Sequence, residues 1–263
     1  MAELTRQTRA GVTLLGDAGR PGGVSLAFTE RTGGVSTGQY SSLNLGDACG
    51  DDPRAVEKNR MLALRALGAG DFAGNLVVPR QVHGDRVVVV RAERDATEAA
   101  RLAREGADAM VCTAPHVPVL LCFADCVPVI LVAPGGFAVA HSGWRGTMAR
   151  IAAKSARTLA NECGCATSEV TAYIGPHVTG EDYEVSAELL QSFEGEFGPT
   201  VRSSERHLDL AAAIRVALSD AGVPSESVLD CGISTASNTD RFFSYRAEHG
   251  ACGRHGALAC MGC

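Results

Sequence analysis

Basic charge is what this chain has little of. Its 24 Lys and Arg are outnumbered by 30 Asp and Glu, for a net charge of −6. A nucleic-acid-binding surface needs a cationic surplus or stripe, and here the charges of both signs are interspersed. The sequence therefore predicts no nucleic-acid partner and a small-molecule substrate. An anionic substrate would have to be held by a few local groups, not by a global field. Aromatic residues are also scarce, at 5%, so a chain that is 46% hydrophobic must build its core mainly from Ala, Val and Leu. No stretch reaches the roughly 18 uninterrupted apolar residues of a membrane helix, so no membrane association is expected. Met1 to Arg20 carries Glu3, Arg6, Arg9, Asp17 and Arg20 and has no apolar h-region, which excludes a signal peptide and predicts a cytoplasmic location. In that compartment the ten cysteines read as thiols, metal ligands or a nucleophile, and not as a disulfide framework. No Gly-x-Gly-x-x-Gly follows a strand-like run, which removes the fingerprint of a dinucleotide-binding fold.

What is present is a series of short elements joined by tight turns, within a length that suits one domain spanning residues 1–263. Residues 31–52 are rich in Gly, Ser and Thr and read as an ordered surface loop. A helix follows: Asp52 can cap it, Pro53 suits its first turn, and Gly68 ends it. Leu76 to Val78 and Arg86 to Val90 read as strands flanking a turn that carries His83. A short helix is expected over Thr97 to Arg104. In the centre, Val117 to Phe123 and Val127 to Val132 are apolar strands broken at Ala124-Asp125-Cys126, and Phe137 to Ala140 returns as a strand ending at His141. The stripe Met148, Ile151, Ala152, Ser155, Leu159 predicts one helix over Thr147 to Asn161. Further strands are expected at Val170 to Ile174, Val228 to Ile233 and Ala257 to Met261, with a helix over Leu210 to Ala221. Strands and helices alternate irregularly, which predicts an α+β fold with mixed β-sheets flanked by helices.

His83, Cys126 and His141 share a location, each at a strand end beside Gly, Asp or Pro. A catalytic zinc site needs three N/S ligands and one open position, and ligands from separate strand ends meet that need. Asp125, an ionisable residue between two apolar strands, must be paired or functional. Ser142-Gly143-Trp144-Arg145-Gly146-Thr147 is a Gly-rich entry to a helix, where Gly143, Arg145 and free backbone N–H groups could hold an oxyanion. Trp144 could be core or a stacking platform for a ring.

The motifs Gln81-Val82-His83-Gly84, Ala107-Asp108-Ala109, Ala124-Asp125-Cys126-Val127-Pro128, Ala140 to Gly146 and Arg241-Phe242-Phe243-Ser244-Tyr245-Arg246 occur in this order. With Ser42-Leu43-Asn44-Leu45-Gly46, Lys58-Asn59-Arg60 and Tyr173-Ile174-Gly175-Pro176, they resemble the bacterial laccase-domain family over nearly the whole chain. That resemblance implies an α/β/β/α sandwich and a zinc ion on His83, Cys126 and His141. It also implies a purine nucleoside phosphorylase acting on adenosine, inosine and methylthioadenosine, with adenosine deaminase activity, whose partners are nucleoside and phosphate. Asn44, Arg60, Tyr245 and Arg246 become substrate contacts by the same resemblance. Other members are described as copper-dependent phenol oxidases, which makes copper the alternative metal, or as editing factors for peptidoglycan precursors. The chain departs from the family pattern at Glu181-Asp182, where adjacent cysteines often stand, at Ser142 and at Ala247. The first departure removes soft ligands and weakens a copper reading. Two rival readings remain. One is a metal-free hydrolase with Cys126 as nucleophile and His141 as base. The other is a binding module with a structural zinc in the tail, where His249, Cys252, His255, Cys260 and Cys263 crowd together.

Overall fold

A computed structural model describes residues 3–263. Its frame is two β-sheets stacked face to face. The first has the order β1 (Thr5–Arg9), β2 (Val12–Gly16), β3 (Val24–Thr29), β13 (His255–Met261), β6 (Val119–Phe123), all antiparallel. The second has the order β12 (Val228–Asp230), β9 (Thr171–Ile174), β7 (Val127–Ala133), β8 (Gly136–Ser142), β5 (Ala109–Cys112), β4 (Val87–Val90). It is mixed: β4 with β5 and β12 with β9 pair in parallel, the rest antiparallel. A small ribbon, β10 (Arg202–Ser204) with β11 (His207–Leu208), lies apart.

Strand period 2 explains the layering. Along β13, Ala257 and Ala259 face the inter-sheet core with Phe28, Leu121 and Met110, while Leu258 and Cys260 face the outer layer with Leu14 and Leu64. Along β7, Ile130 and Val132 face that same inter-sheet core, and Val129 and Leu131 face helices on the far side. Both faces of each central strand are covered, which is why these strands read as unbroken apolar runs. The outer face of the first sheet is covered by α1 (Pro53–Leu67), and that of the second by α4 (Ile151–Cys163), α5 (Ala187–Phe197) and α6 (Leu210–Asp220). The result is a single α+β domain layered α/β/β/α. Among the described residues, no helix is long and apolar enough to cross a membrane.

The caps predicted at Asp52 and Gly68 form, and Asp209 supplies a further one. Asp52 accepts the Arg54 amide at 3.0 Å, and Gly68 ends α1 at φ 94°. Asp209 accepts the Ala212 amide at 2.9 Å to start α6. The helix expected over Thr147 to Asn161 is instead two: α3 (Trp144–Met148) and α4. The break is at Arg150, held in the left-handed region (φ 55°) while its guanidinium bonds Glu196 at 2.8 Å and Asp220 at 2.7 Å. The strand expected at Leu76 to Val78 shrinks to one bridge, Val77 to Val119. The loop 31–52 is ordered by Asn59, whose side chain donates to Ser36 Oγ, Ser42 O and Asn44 O and accepts the Val35 amide at 2.8 Å.

His255 opens β13 fully buried between Phe123 and Phe242, and neither ring nitrogen has a hydrogen-bond partner. Burial pushes its pKa down to about 3, and the nearby Pro176 carbonyl opposes this only in part. The folded protein therefore keeps His255 neutral, whereas the unfolded chain protonates it below pH about 6.5. Its contribution is complete above that pH and is lost as pH falls from about 6.5 toward 3, at about 1.4 kcal/mol per unit. His255→Leu should remove this slope. Urea unfolding at pH 7 and pH 5 should show wild type losing about 2 kcal/mol more than the variant. Equal losses would mean that His255 does not resist acid in the fold.

Candidate metal centre and its cleft

The site forms where the chain passes between the sheets. β6 belongs to the first sheet and β7 to the second, so Ala124-Asp125-Cys126 is the crossing. Asp125 adopts φ 82°, a conformation rare outside glycine, and its neighbours hold it there. Its carboxylate accepts Thr235 Oγ1, Ser244 Oγ and the Arg246 amide, each at 2.7 Å. The ionisable residue between apolar strands is thus a paired anchor. It ties the Tyr245-Arg246 turn to the crossing beside Cys126.

His141 lies on β8 on the same face as Phe137 and Val139, so it points between the sheets. His83 occupies a turn at φ 58°. The Gln81 side chain clamps this turn to β6, donating to Cys122 O and accepting the Cys122 amide, both at 2.8 Å. These placements bring the donor atoms of His83, Cys126 and His141 within 4.8 Å of one another. Cys126 Sγ is 3.9 Å from His83 Nε2, and a tetrahedral ion would ask for about 3.6 Å between a sulfur and a nitrogen ligand. Among the described residues no other group of three His, Cys, Asp or Glu converges in this way, so the tail residues His249, Cys252, His255, Cys260 and Cys263 do not assemble a second site.

The donor set fits a metal ion chemically as well as geometrically. Burial would push the Cys126 thiol up, but the His141 and His83 imidazoles outweigh it and draw it down. Burial likewise opposes charge on His141, and Cys126 with Asp108 raise it instead. A cation entering the site would displace a proton from this pair. Gly143 closes the site from one side. A Cβ there would sit 3.0 Å from Cys126 Sγ and 3.2 Å from His83 Cδ2.

The triad lines a cleft of about 1120 Å³. Arg80, Arg104, Arg246 and Arg254 also line it, against only Asp47 and Asp125. Asp47 pairs with Arg104 and Arg60, and the Asp125 carboxylate is already engaged. Among the described residues Arg80, Arg246 and Arg254 therefore have no carboxylate partner. Arg246 stacks over Tyr183 at 4.9 Å and Arg254 over Tyr245 at 5.7 Å, both tyrosines lining the cleft. A chain of net charge −6 thus keeps a locally cationic, aromatic-walled cleft beside its soft donor set.

A family model described as multi-copper polyphenol oxidoreductase laccase matches residues 25–262. The chain belongs to this family. Among curated relatives, the purine nucleoside phosphorylase of Deinococcus radiodurans is 39% identical over 245 residues, covering 89% of this chain and 88% of that protein. Purine nucleoside phosphorylase YfiH of Escherichia coli is 30% identical, covering 87% of this chain and 90% of its own length. The crystal structure of YlmD from Geobacillus stearothermophilus superposes with a TM-score of 0.86 at 30% identity, covering 99% of each chain. Relatives named as enzymes, matched over 88% and 90% of their own lengths, make this chain an enzyme in the general sense.

The remaining residues singled out by sequence fall in different places. Tyr245 and Arg246 line the cleft. Asn44 and Arg60 are not among the lining residues. Asn44 is fully buried, donating to Gly46 O and Asp51 and accepting the Gly46 and Arg254 amides, so it shapes the cleft wall from behind. Arg60 donates to Leu45 O at 2.9 Å in the same wall. Arg145 is exposed, stacked over exposed Trp144 at 4.6 Å, and does not line the cleft. It sits on the five-residue helix α3, which starts at Trp144 with Gly143 at its N-cap. Ser142, which departs from the family pattern, shares a buried hydrogen bond with Thr147 Oγ1 at 2.9 Å. Asp108 stands in the motif Ala107-Asp108-Ala109, but the sequence reading gave it no role. The clue was available: a carboxylate between two alanines at the head of an apolar strand raises the same question as Asp125.

Proposed function

We propose that this chain is a zinc-dependent purine nucleoside phosphorylase for adenosine, inosine and methylthioadenosine that also deaminates adenosine. The observation that carries this reading is the union, in one cleft, of a His/Cys/His donor set with guanidinium groups that no carboxylate neutralises. The relatives named as purine nucleoside phosphorylases support the choice of substrate.

In phosphorolysis an orthophosphate oxygen bonds to C1′ of the ribose as the glycosidic C–N bond breaks. The electron pair leaves with the base, which takes up a proton. Arg246 and Arg254 are better placed than Arg145 to hold the phosphate, each offering planar charge-assisted donors. Tyr183 and Tyr245 offer ring faces to the base. In deamination water adds at C6 and ammonia leaves. Zinc, when bound, supplies a Lewis acid able to bring the pKa of water to about 7. One fixed hydroxide cannot attack both C6 and C1′ in a single pose, so either the nucleoside binds in two ways or the metal plays two roles.

Copper-dependent phenol oxidation is the second reading. It is favoured by the description of the family and by the suitability of thiolate and imidazole donors for copper. It needs molecular oxygen, which separates the two. Zinc-loaded protein should be incubated anaerobically with a nucleoside panel, with and without phosphate, and the products weighed by mass spectrometry. Free hypoxanthine from inosine only when phosphate is present, and inosine from adenosine in either case, are the expected results. Product formation from phenols alone, and only with copper and oxygen, would replace this reading by the second. Serine release from a serine-containing muramyl precursor, with no purine reaction, would replace it by precursor editing. Alkylation of Cys126 that zinc does not block, with activity surviving chelation, would favour the metal-free hydrolase.

A further inference from the structure

Asp108 stands one residue before β5, wholly buried, and every group around its carboxylate is a donor. Oδ1 accepts the His83 amide at 2.9 Å and lies 2.8 Å from His141 Nδ1. Oδ2 accepts the Val82 amide at 3.2 Å and the Gly84 amide at 2.8 Å. Its backbone carbonyl accepts the His141 amide at 2.7 Å. One residue therefore grips two of the three donor-bearing segments, by main chain and side chain together.

We propose that Asp108 is the positioning residue of the metal centre, fixing His141 with its proton on Nδ1 and Nε2 turned to the ion while clamping the His83 turn in register. The inference rests on reading His83, Cys126 and His141 as a metal site. An acceptor-only carboxylate facing three N–H groups leaves Nδ1 of His141 one stable role, that of a fourth donor. The lone pair available to a cation is then on Nε2. A carboxylate behind a ligating imidazole also raises its basicity, so the same contact orients and strengthens the ligand. The three N–H bonds explain a further feature. His83 holds φ 58°, a conformation disfavoured for a side chain of its size, and the carboxylate receives the amides on both sides of it. Val82, His83 and Gly84 thus wrap one anion, and the strained turn is the shape that wrapping requires.

Asp108→Asn is the sharpest variant because it changes shape least. Asn offers one oxygen and one NH₂, so its NH₂ must face at least one N–H donor. Competition with a chromogenic chelator should show zinc affinity reduced about 10- to 100-fold. Protein loaded with ¹¹³Cd gives a second readout that a purely structural role would not move. In wild type, cadmium should couple to His141 through Nε2, with the Nδ1 proton visible and hydrogen-bonded. In Asp108→Asn that proton should exchange freely. The wild-type spectrum needs no variant to fold, and coupling through Nδ1 would overturn the proposal. Unchanged zinc affinity in folded Asp108→Asn would overturn it too, leaving the metal site standing. Wild-type protein that binds neither zinc nor cadmium would instead remove the metal reading and this inference together.

Discussion

Cys126→Ala should purify without its metal ion and convert adenosine to inosine at least about 10³-fold more slowly than wild type. The size follows from removing the one anionic donor among three. A Lewis acid contributes several kcal/mol to a developing charge, and each 1.36 kcal/mol is a factor of ten. Of the other side chains lining the cleft, only His249 carries a group that commonly activates water, and it stands outside the donor set. Asp47 is paired with arginines, and Asp125 accepts three hydrogen bonds already. The fold should survive, because Cys126 sits at a crossing between sheets and not within a strand. Metal analysis and circular dichroism on the same sample check both halves of the expectation. Full zinc occupancy in the variant would take Cys126 out of the site.

Asp125→Ala should act differently, through stability and substrate affinity together. The substitution strands Thr235 Oγ1, Ser244 Oγ and the Arg246 amide without their acceptor. Leaving such donors unpaired beside a lost buried charge costs roughly 3 kcal/mol. For a chain of this length that is a fall in Tm of roughly 6–12 °C. The Tyr245-Arg246 turn loses its anchor at the same time, so KM for nucleoside and phosphate should rise together. Zinc content distinguishes this from damage to Cys126 next door. A variant with wild-type Tm and KM would show that Asp125 anchors nothing of consequence.

The candidate site was legible in the sequence to the extent that its chemistry is local. His83, Cys126 and His141 each end or interrupt an apolar run, and that interruption is the signal. Asp125 was visible for the same reason, and its three hydrogen bonds show why an ionisable residue is tolerated there. What could not be read was direction. Arg145 and Arg246 look alike in sequence, yet one stacks outward over Trp144 and the other lines the cleft over Tyr183. Only the crossing between sheets decides which faces the cleft. Asn44 illustrates the same limit, since a motif residue can shape a wall without touching what the wall encloses. In the fold, the buried central strands declared themselves as apolar runs. β1, with sequence Thr-Arg-Gln-Thr-Arg, did not, because an edge strand that faces water carries no apolar alternation. The break at Arg150 was hidden as well. The apolar stripe continues across it, and the cause is tertiary: two carboxylates, Glu196 and Asp220, that hold the guanidinium from other helices.

X-ray absorption at the metal edge tests the central claim most directly, because it counts donors by element without relying on turnover. Protein loaded with one zinc per chain should show two nitrogen scatterers from imidazole at about 2.0–2.1 Å and one sulfur at about 2.3 Å, with a fourth light atom completing a tetrahedron. Cys126→Ala should lose the sulfur shell, if any metal remains to measure. A wild-type spectrum with no sulfur at that distance, or with two or more sulfurs, would contradict a centre built from His83, Cys126 and His141.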